Sequence, residues 1–278
     1  MSRHEYPSLR QGLVGCWVPS LGASGLSLID RSGRNNHGTL VNMAGQDNWQ
    51  ARGSGVALNL DGTNDHAVLA GFVPASSISV SAWVYLKSQP TGGNLAGIFS
   101  RWGNNAAFDA TDAFTLNIGV GQGFRFFLGG VNAGVTTGSS AVTLSQWTHL
   151  AATYNGATIT IFVNGISAGS TAASGSITQS TVEMRIGKDV AASATDKNLN
   201  AFCDDIRLYS RALNPAEIRL LASRRGIGLS PLPDRAAGLP KKLFVNDAGT
   251  WRNGDAYVNT GSGWRLGVPF VNDAGTWR

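Results

Sequence analysis

Carboxylates come first, because hydrolysis of a glycosidic bond takes two of them held at a fixed spacing, one acid and one base or nucleophile. The chain has three glutamates, Glu5, Glu183 and Glu217. Glu5 lies in an N-terminal arm, Glu217 closes the start of an expected helix and Glu183 stands alone before Met184-Arg185-Ile186, so no acid–base pair emerges. The four histidines, His4, His37, His66 and His149, and the two cysteines show no zinc-ligand spacing. Structural roles are expected for all four imidazoles, with His4 and His66 exposed. Cys16 and Cys203 fall in expected strands that can neighbour one another, and two buried free thiols are the expected state. Sugar stacking needs a ring in a polar loop. Trp49 in Asp47-Asn48-Trp49-Gln50 and Trp102 in Ser100-Arg101-Trp102-Gly103-Asn104 are the glycan-binding candidates, with local packing as the other reading.

The elements that would position these residues are strands. Thirty-six glycines with 14% charged and 42% hydrophobic residues describe many strands joined by tight turns, an all-β chain. Ile78, Val80, Ala82, Val84 and Leu86 alternate as one apolar face. Phe124 to Leu128 is a denser run, expected to be a central strand covered on both sides. Trp147 to Tyr154 meets Asn155-Gly156, and Ala157 to Val163 meets Asn164-Gly165; both dipeptides suit the positive φ angles of a type I′ turn. In Phe202 to Tyr209, alternation puts Asp204 on the same face as Ile206 and Leu208, where a buried carboxylate must be hydrogen-bonded or metal-bound. Asn214-Pro215-Ala216-Glu217 reads as a capping box opening a helix of two turns that ends at Ala222.

The net charge of +5 is local. Residues 1–218 carry 13 basic and 13 acidic side chains and residues 243–278 carry three of each. The excess therefore lies in 219–242, where Arg219, Arg224, Arg225, Arg235, Lys241 and Lys242 face Asp234 alone. A solvated linker is expected, with docking on an acidic protein or nucleic-acid surface as the alternative. Beyond it, Phe244 to Arg252 returns letter for letter at Phe270 to Arg278, and Tyr257-Val258-Asn259 with Gly263-Trp264-Arg265 lies midway, a 13-residue period. Each unit reads as strand, glycine turn, strand. Such a hairpin cannot bury two large aromatics alone, so Phe244, Trp251, Tyr257, Trp264, Phe270 and Trp277 are expected in oligomer or anchoring contacts. The N-terminus lacks the pattern of a signal peptide, and no segment has the continuous apolar length of a membrane span.

Several motifs occur in an order that resembles a known family. Gly12-Leu13-Val14 with Trp17, Asp30-Arg31-Ser32-Gly33 with Asn36-His37-Gly38-Thr39-Leu40, and Leu60-Asp61-Gly62-Thr63 with Asp65 come first. Trp83 in the 78–84 strand, Trp147-Thr148-His149-Leu150-Ala151, Phe162-Val163-Asn164-Gly165 and Asp204-Asp205-Ile206-Arg207-Leu208-Tyr209 follow. Over residues 12–222 the chain resembles a laminin-G-like domain of the concanavalin-A-like lectin/glucanase superfamily. The resemblance implies an antiparallel jelly-roll β-sandwich with one short C-terminal helix, and core positions for Trp17, Trp83 and Trp147. It also implies a calcium ion at the sandwich edge, with Asp30, Asn36 and Asp204 as ligands; the other reading is that these side chains brace turns. The superfamily's glucanases carry paired glutamates on one strand, and nothing here matches that pattern.

The tail repeats resemble short repeats near the ends of bacteriophage structural proteins. The organisation expected is an arm at 1–11, a sandwich at 12–226, a basic linker at 227–242 and a small β-repeat tail at 243–278. The function expected is that of a non-enzymatic virion accessory protein, a capsid decoration or fibre component. It would be assembled in the host cytoplasm, lie on the particle's outer surface, and contact other virion proteins and itself as a homotrimer. A cell-surface glycan is a further partner, without membrane insertion or nucleic acid. The alternatives are a cellular glycan-binding or adhesion module and, more remotely, a glycoside hydrolase.

Overall fold

A computed structural model describes residues 6–22, 24–43, 48–51, 55–69, 73–90, 95–103, 111–189 and 198–229, and the backbone of 243–247, 250–254, 257–259, 264–266, 272–273 and 276–277. Two compact units divide the chain, Met1–Leu229 and Ser230–Arg278.

In chain order the strands of the first unit are β1 (Leu13–Trp17), β2 (Ser27–Leu28), β3 (Gly38–Val41), β4 (Trp49–Ala51), β5 (Val56–Asp61), β6 (His66–Leu69), β7 (Ile78–Leu86) and β8 (Ala96–Arg101). They continue as β9 (Phe114–Ile118), β10 (Phe124–Leu128), β11 (Ala133–Thr136), β12 (Trp147–Tyr154), β13 (Thr158–Val163), β14 (Ile166–Ala172), β15 (Met184–Ile186) and β16 (Asn200–Tyr209), followed by the helix α1 (Pro215–Leu221). The first sheet runs β14-β13-β12-β7-β16-β5-β4, and the second runs β11-β10-β9-β8-β15-β6-β3-β2. On the side of β16 away from β7, β5 pairs along Asn200–Cys203 and β1 along Ile206–Tyr209. All described pairings are antiparallel, and the two sheets form the expected jelly-roll sandwich.

The apolar stripe of β7 is fully buried, from Ile78 through Leu86 at alternate positions. It faces the aromatic layer of the second sheet, where Phe99 meets Phe114 at 5.1 Å and Trp17 of β1 at 5.6 Å, edge to face in both cases. A second, smaller core lies on the outer face of the first sheet, where Leu9, Cys16, Phe162, Tyr209, Ile218 and Ile227 pack together. The described part of the N-terminal arm, through Tyr6 and Leu9, and Ile227 and Leu229 thus pack into the first unit. Both cysteines are buried free thiols, and burial pushes each up to about 12.

Four expectations change. Phe124 to Leu128 is covered on one side only: Phe124, Phe126 and Leu128 are buried, while Phe127 lies on the other face, where the Arg125 guanidinium sits 4.8 Å from its ring and where a side chain at Gly134 would collide with it. Asn164-Gly165 adopts the two positive φ angles of a tight hairpin, but Asn155 does not. Its Oδ1 instead accepts from Ala157 N and Thr158 N, closing a three-residue loop. His66 is buried, since it opens β6 between β15 and β3. Trp17 is a core residue, whereas Trp83 and Trp147 lie half-buried on the outer face of the first sheet, Trp83 donating to Leu221 O under α1.

The capping box forms as read: Asn214 Oδ1 accepts from Ala216 N and Glu217 N, Glu217 reaches back to Asn214 N, and Ala222 is the C-cap. In the second unit the backbone forms three antiparallel pairs among the described residues, β17 (Leu243–Asp247) with β18 (Thr250–Gly254), β19 (Tyr257–Asn259) with β20 (Trp264–Leu266), and β21 (Asn272–Asp273) with β22 (Thr276–Trp277). One register recurs in all three, Asn246 opposite Trp251, Asn259 opposite Trp264 and Asn272 opposite Trp277.

Candidate functional site

Asp30 sits in the turn between β2 and β3 and has no unoccupied lone-pair direction. Its Oδ1 accepts from Cys16 N and Ser32 N, both at 2.8 Å, and its Oδ2 from Ser32 Oγ at 2.7 Å and Asn36 N at 2.9 Å. Asn36 in turn donates from Nδ2 to Val14 O, and its main-chain carbonyl accepts from Trp17 Nε1, each at 2.8 Å. His37 Nδ1 accepts from Asp30 N. Asp30 and Asn36 are therefore brought together as a brace between the turn and β1.

Asp204 has other partners. Alternation along β16 breaks at Asp205, which takes φ 46° and shifts the register against β7. Cys203, Ile206 and Leu208 face the main core, while Asp204, opposite Trp83, lies on the outer face with Arg207 and Tyr209. The shared face expected for Asp204, Ile206 and Leu208 is lost to this bulge. Its carboxylate accepts from Ser20 N at 3.1 Å, Asp205 N at 2.9 Å and Arg225 Nη1 at 3.2 Å. Calcium requires six to eight oxygens. The described residues hold no group of three His, Cys, Asp or Glu suited to a metal, and Asp30 is saturated by hydrogen-bond donors. The three residues do not fit a shared calcium site.

Beside Asp204 lies a network that sequence reasoning did not single out. Arg207, 1% exposed, is gripped by Asp205 through Nε at 2.6 Å and Nη2 at 3.1 Å. Residues 223–229 close over the pair: Ile227 O accepts from Arg207 Nη2 at 2.6 Å, Gly226 N donates to Asp205 Oδ2 at 2.7 Å, and Arg225 stacks 4.3 Å from the Trp147 ring. This is a strap anchored on a buried ion pair.

Of the two loop tryptophans, Trp102 is only 8% exposed and packs into the fold. Trp49 is half-buried at the start of the edge strand β4, with its indole N–H donated to Gly25 O at 2.8 Å. It borders a shallow surface dip together with Val18, Pro19, Gly22, Leu28 and Arg31. Phe270 and the side chains of Phe244, Trp251, Tyr257, Trp264 and Trp277 lie outside the described residues, as do His4 and most of the basic linker.

A family model of laminin-G type, described as the concanavalin A-like lectin/glucanases superfamily, matches residues 61–219, more than half of the chain. The chain belongs to this superfamily. The opening motifs at residues 12–60 fall outside the matched span, although the structure places β1 and β5 within the superfamily sandwich. No curated protein matches the chain. Among solved structures, domain 4 of AbnA, an extracellular arabinanase from Geobacillus stearothermophilus in complex with arabinotriose, is similar at 21% identity and TM-score 0.57, over 76% of this chain and 98% of that one. Trypanosoma rangeli sialidase is similar at 21% identity and TM-score 0.51, over 76% of this chain but 32% of that one, so the present chain spans about a third of the enzyme. The receptor binding domain of botulinum neurotoxin D gives 16% identity and TM-score 0.55, over 77% and 53%. At such identities these likenesses establish the fold alone.

Proposed function

We propose that the chain is a non-enzymatic virion accessory protein, a capsid decoration or fibre component. Its lectin-like sandwich is displayed for surface adhesion or particle stabilisation, and its tail anchors it to other virion proteins or to further copies as a homotrimer. The observation that carries this reading is the repeated tail, three hairpins with the same Asn–Trp register at a 13-residue spacing. Units this small need neighbours to hide their aromatics, which suits attachment. The carboxylates favour binding over catalysis: Glu217 is held by Arg211 at 2.7 and 2.8 Å, Glu183 pairs with Arg185 at 2.8 Å, and Asp30, Asp204 and Asp205 are committed as described. Mass spectrometry of purified virions, with sedimentation of the free chain, tests the reading. Presence in particles and a trimer are expected; absence from particles together with a monomer refutes it. Deleting 243–278 should abolish both particle binding and trimerisation, and polysaccharides should be left intact.

A further inference from the structure

The register of the tail hairpins sorts their residues into two unlike faces. Residues paired across an antiparallel hairpin share a face, and so do residues two apart on one strand. In β17–β18 the pairs Phe244–Asn253 and Asn246–Trp251 therefore lie on one face, and Val245–Arg252 and Asp247–Thr250 on the other. In β19–β20, Tyr257–Leu266 and Asn259–Trp264 lie on one face and Val258–Arg265 on the other. In β21–β22, Asn272–Trp277 and Asp273–Thr276 divide in the same way. All four charged residues of these strands, Asp247, Arg252, Arg265 and Asp273, thus stand on the face away from the Asn–Trp pairs. The Asn–Trp face carries no charge and every aromatic residue of the paired strands.

A two-stranded hairpin has no interior, so a large aromatic face is covered only by a neighbour. The buried centres of interfaces are depleted of charge and enriched in Trp, Tyr and Phe, which is the composition of this face and not of the other. The asparagines decide what the neighbour is. Strands disfavour Asn, and an amide buried among aromatics costs stability unless it is hydrogen-bonded. Asn carries both donors and an acceptor, so one Asn satisfies another, which Arg or Asp cannot do for its own kind. A copy of this chain brings three such residues at the same 13-residue spacing, whereas an unrelated protein would have to supply three matching groups independently. Symmetric association sets like groups together, and an uncharged face meets itself without repulsion. An offset of less than one unit would set an amide against an aromatic, and an offset of a whole unit would leave one hairpin per chain uncovered. The amides therefore also fix the register of the assembly, as a lone interior Asn does in a coiled coil.

We propose that the Asn–Trp faces of the tail hairpins are the surface by which copies of this chain associate, with Asn246, Asn259 and Asn272 hydrogen-bonded between copies and the Val–Arg faces left outside the contact. The inference rests on the homotrimer reading and adds which face makes the contact and what sets its register.

The test is hydroxyl-radical footprinting of the full, unsubstituted chain above and below the concentration at which sedimentation shows it to dissociate, with oxidation located by mass spectrometry. Trp251, Trp264 and Trp277 should lose most of their reactivity in the oligomer and regain it on dilution, while Val245 and Val258 stay equally reactive in both. Two lysine pairs at adjacent positions separate the faces. Phe244→Lys with Tyr257→Lys should weaken association about 100-fold or more, the loss expected when two interface anchors are removed, and Val245→Lys with Val258→Lys should leave it unchanged. Replacing Asn246, Asn259 and Asn272 together by Leu should keep association but give a mixture of sizes; a single size would overturn the register role. The footprint needs no variant, so it decides even if a substituted tail fails to fold. Protection that survives dilution to the monomer, protection of the Val–Arg face, or equal weakening by the two lysine pairs overturns the proposal. An oligomer whose tail tryptophans react as in the monomer would end this inference and leave the homotrimer standing, whereas a chain monomeric at every concentration would remove both. Tryptophans protected only on virions would replace the copies by another virion protein and leave the display role intact.

Discussion

His149 and Asp204 titrate in opposite directions, and their sum sets an unusual response to acid. Burial, followed by the Arg207 charge, pushes the His149 imidazole down to about 3, whereas in the unfolded chain it titrates near 6.5. Between those values the unfolded state holds a proton that the folded state lacks, so this contribution is complete above pH 6.5 and is lost as pH falls. Burial raises the Asp204 carboxyl to about 6 from 3.8. Between those values the folded state holds the extra proton, so this contribution is complete below pH 3.8 and is lost as pH rises through 6. From about pH 4 to 6 the two should nearly cancel, each alone having a slope of about 1.4 kcal/mol per pH unit. Urea denaturation should therefore show that His149→Phe, which keeps a ring against Trp83, loses stability relative to wild type as pH rises through this window, and that Asp204→Asn gains it. Wild-type slopes in both variants would sink the assignment. At the same scale, Asp30→Asn should cost roughly 2–4 kcal/mol by facing N–H donors with an amide N–H, and neither calcium nor a chelator should move the wild-type Tm. The oxygen cluster around Asp30 was legible in the sequence, but its saturation was not, because Cys16 N comes from β1 and the letters of Ser32 and Asn36 do not show that their N–H groups turn in on the carboxylate.

Elements were easier to read where a periodicity or a cap is local. The β7 stripe, the Asn164-Gly165 turn and the Asn214–Glu217 box each depend on residues within one short window, and each formed as expected. Alternation failed at Asp205 because a bulge inserts one residue and reverses every face after it, and an Asp-Asp pair carries no mark of that. Phe124 to Leu128 misled because a dense apolar run has the same composition in a central strand and in one whose outer aromatic is covered by a cation and a glycine. Tight crossings are likewise invisible to pattern. At Gly97 in β8 an added Cβ would collide with the backbone of Lys188 and Asp189, which passes over the sheet there. Gly97→Ala should lower stability by roughly 1–3 kcal/mol or more, read from the urea midpoint at constant m. Gly138 has open space and no positive φ, so Gly138→Ala should stay within about 0.5 kcal/mol. Equal effects at the two positions would show that the crossing yields.

At the scale of the molecule, the sandwich is closed by both ends of its own unit, and composition pointed to a boundary near residue 226 because glycine and basic residues begin there. The structure gives those residues a load: the strap at 223–229 supplies Arg225 to Asp204, two main-chain bonds to the Asp205–Arg207 pair, and Ile227 to the second core. A buried ion pair contributes little net stability when fully satisfied and becomes a liability when its remaining bonds are removed. A chain of residues 1–229 contains both cores and every partner of that pair, and it should unfold in one cooperative transition. A chain of residues 1–222 keeps Asp205 and Arg207 but exposes them and leaves Asp204 without its arginine. Losing these bonds and the burial of Ile227 should cost roughly 3–5 kcal/mol, which for a domain of this size lowers Tm by about 10 °C. Calorimetry of the two chains side by side decides it. A difference below about 2 °C would mean that the strap only covers the sheet, whereas the expected drop would make residues 223–229 the structural end of the sandwich and Leu229 the point from which the tail departs.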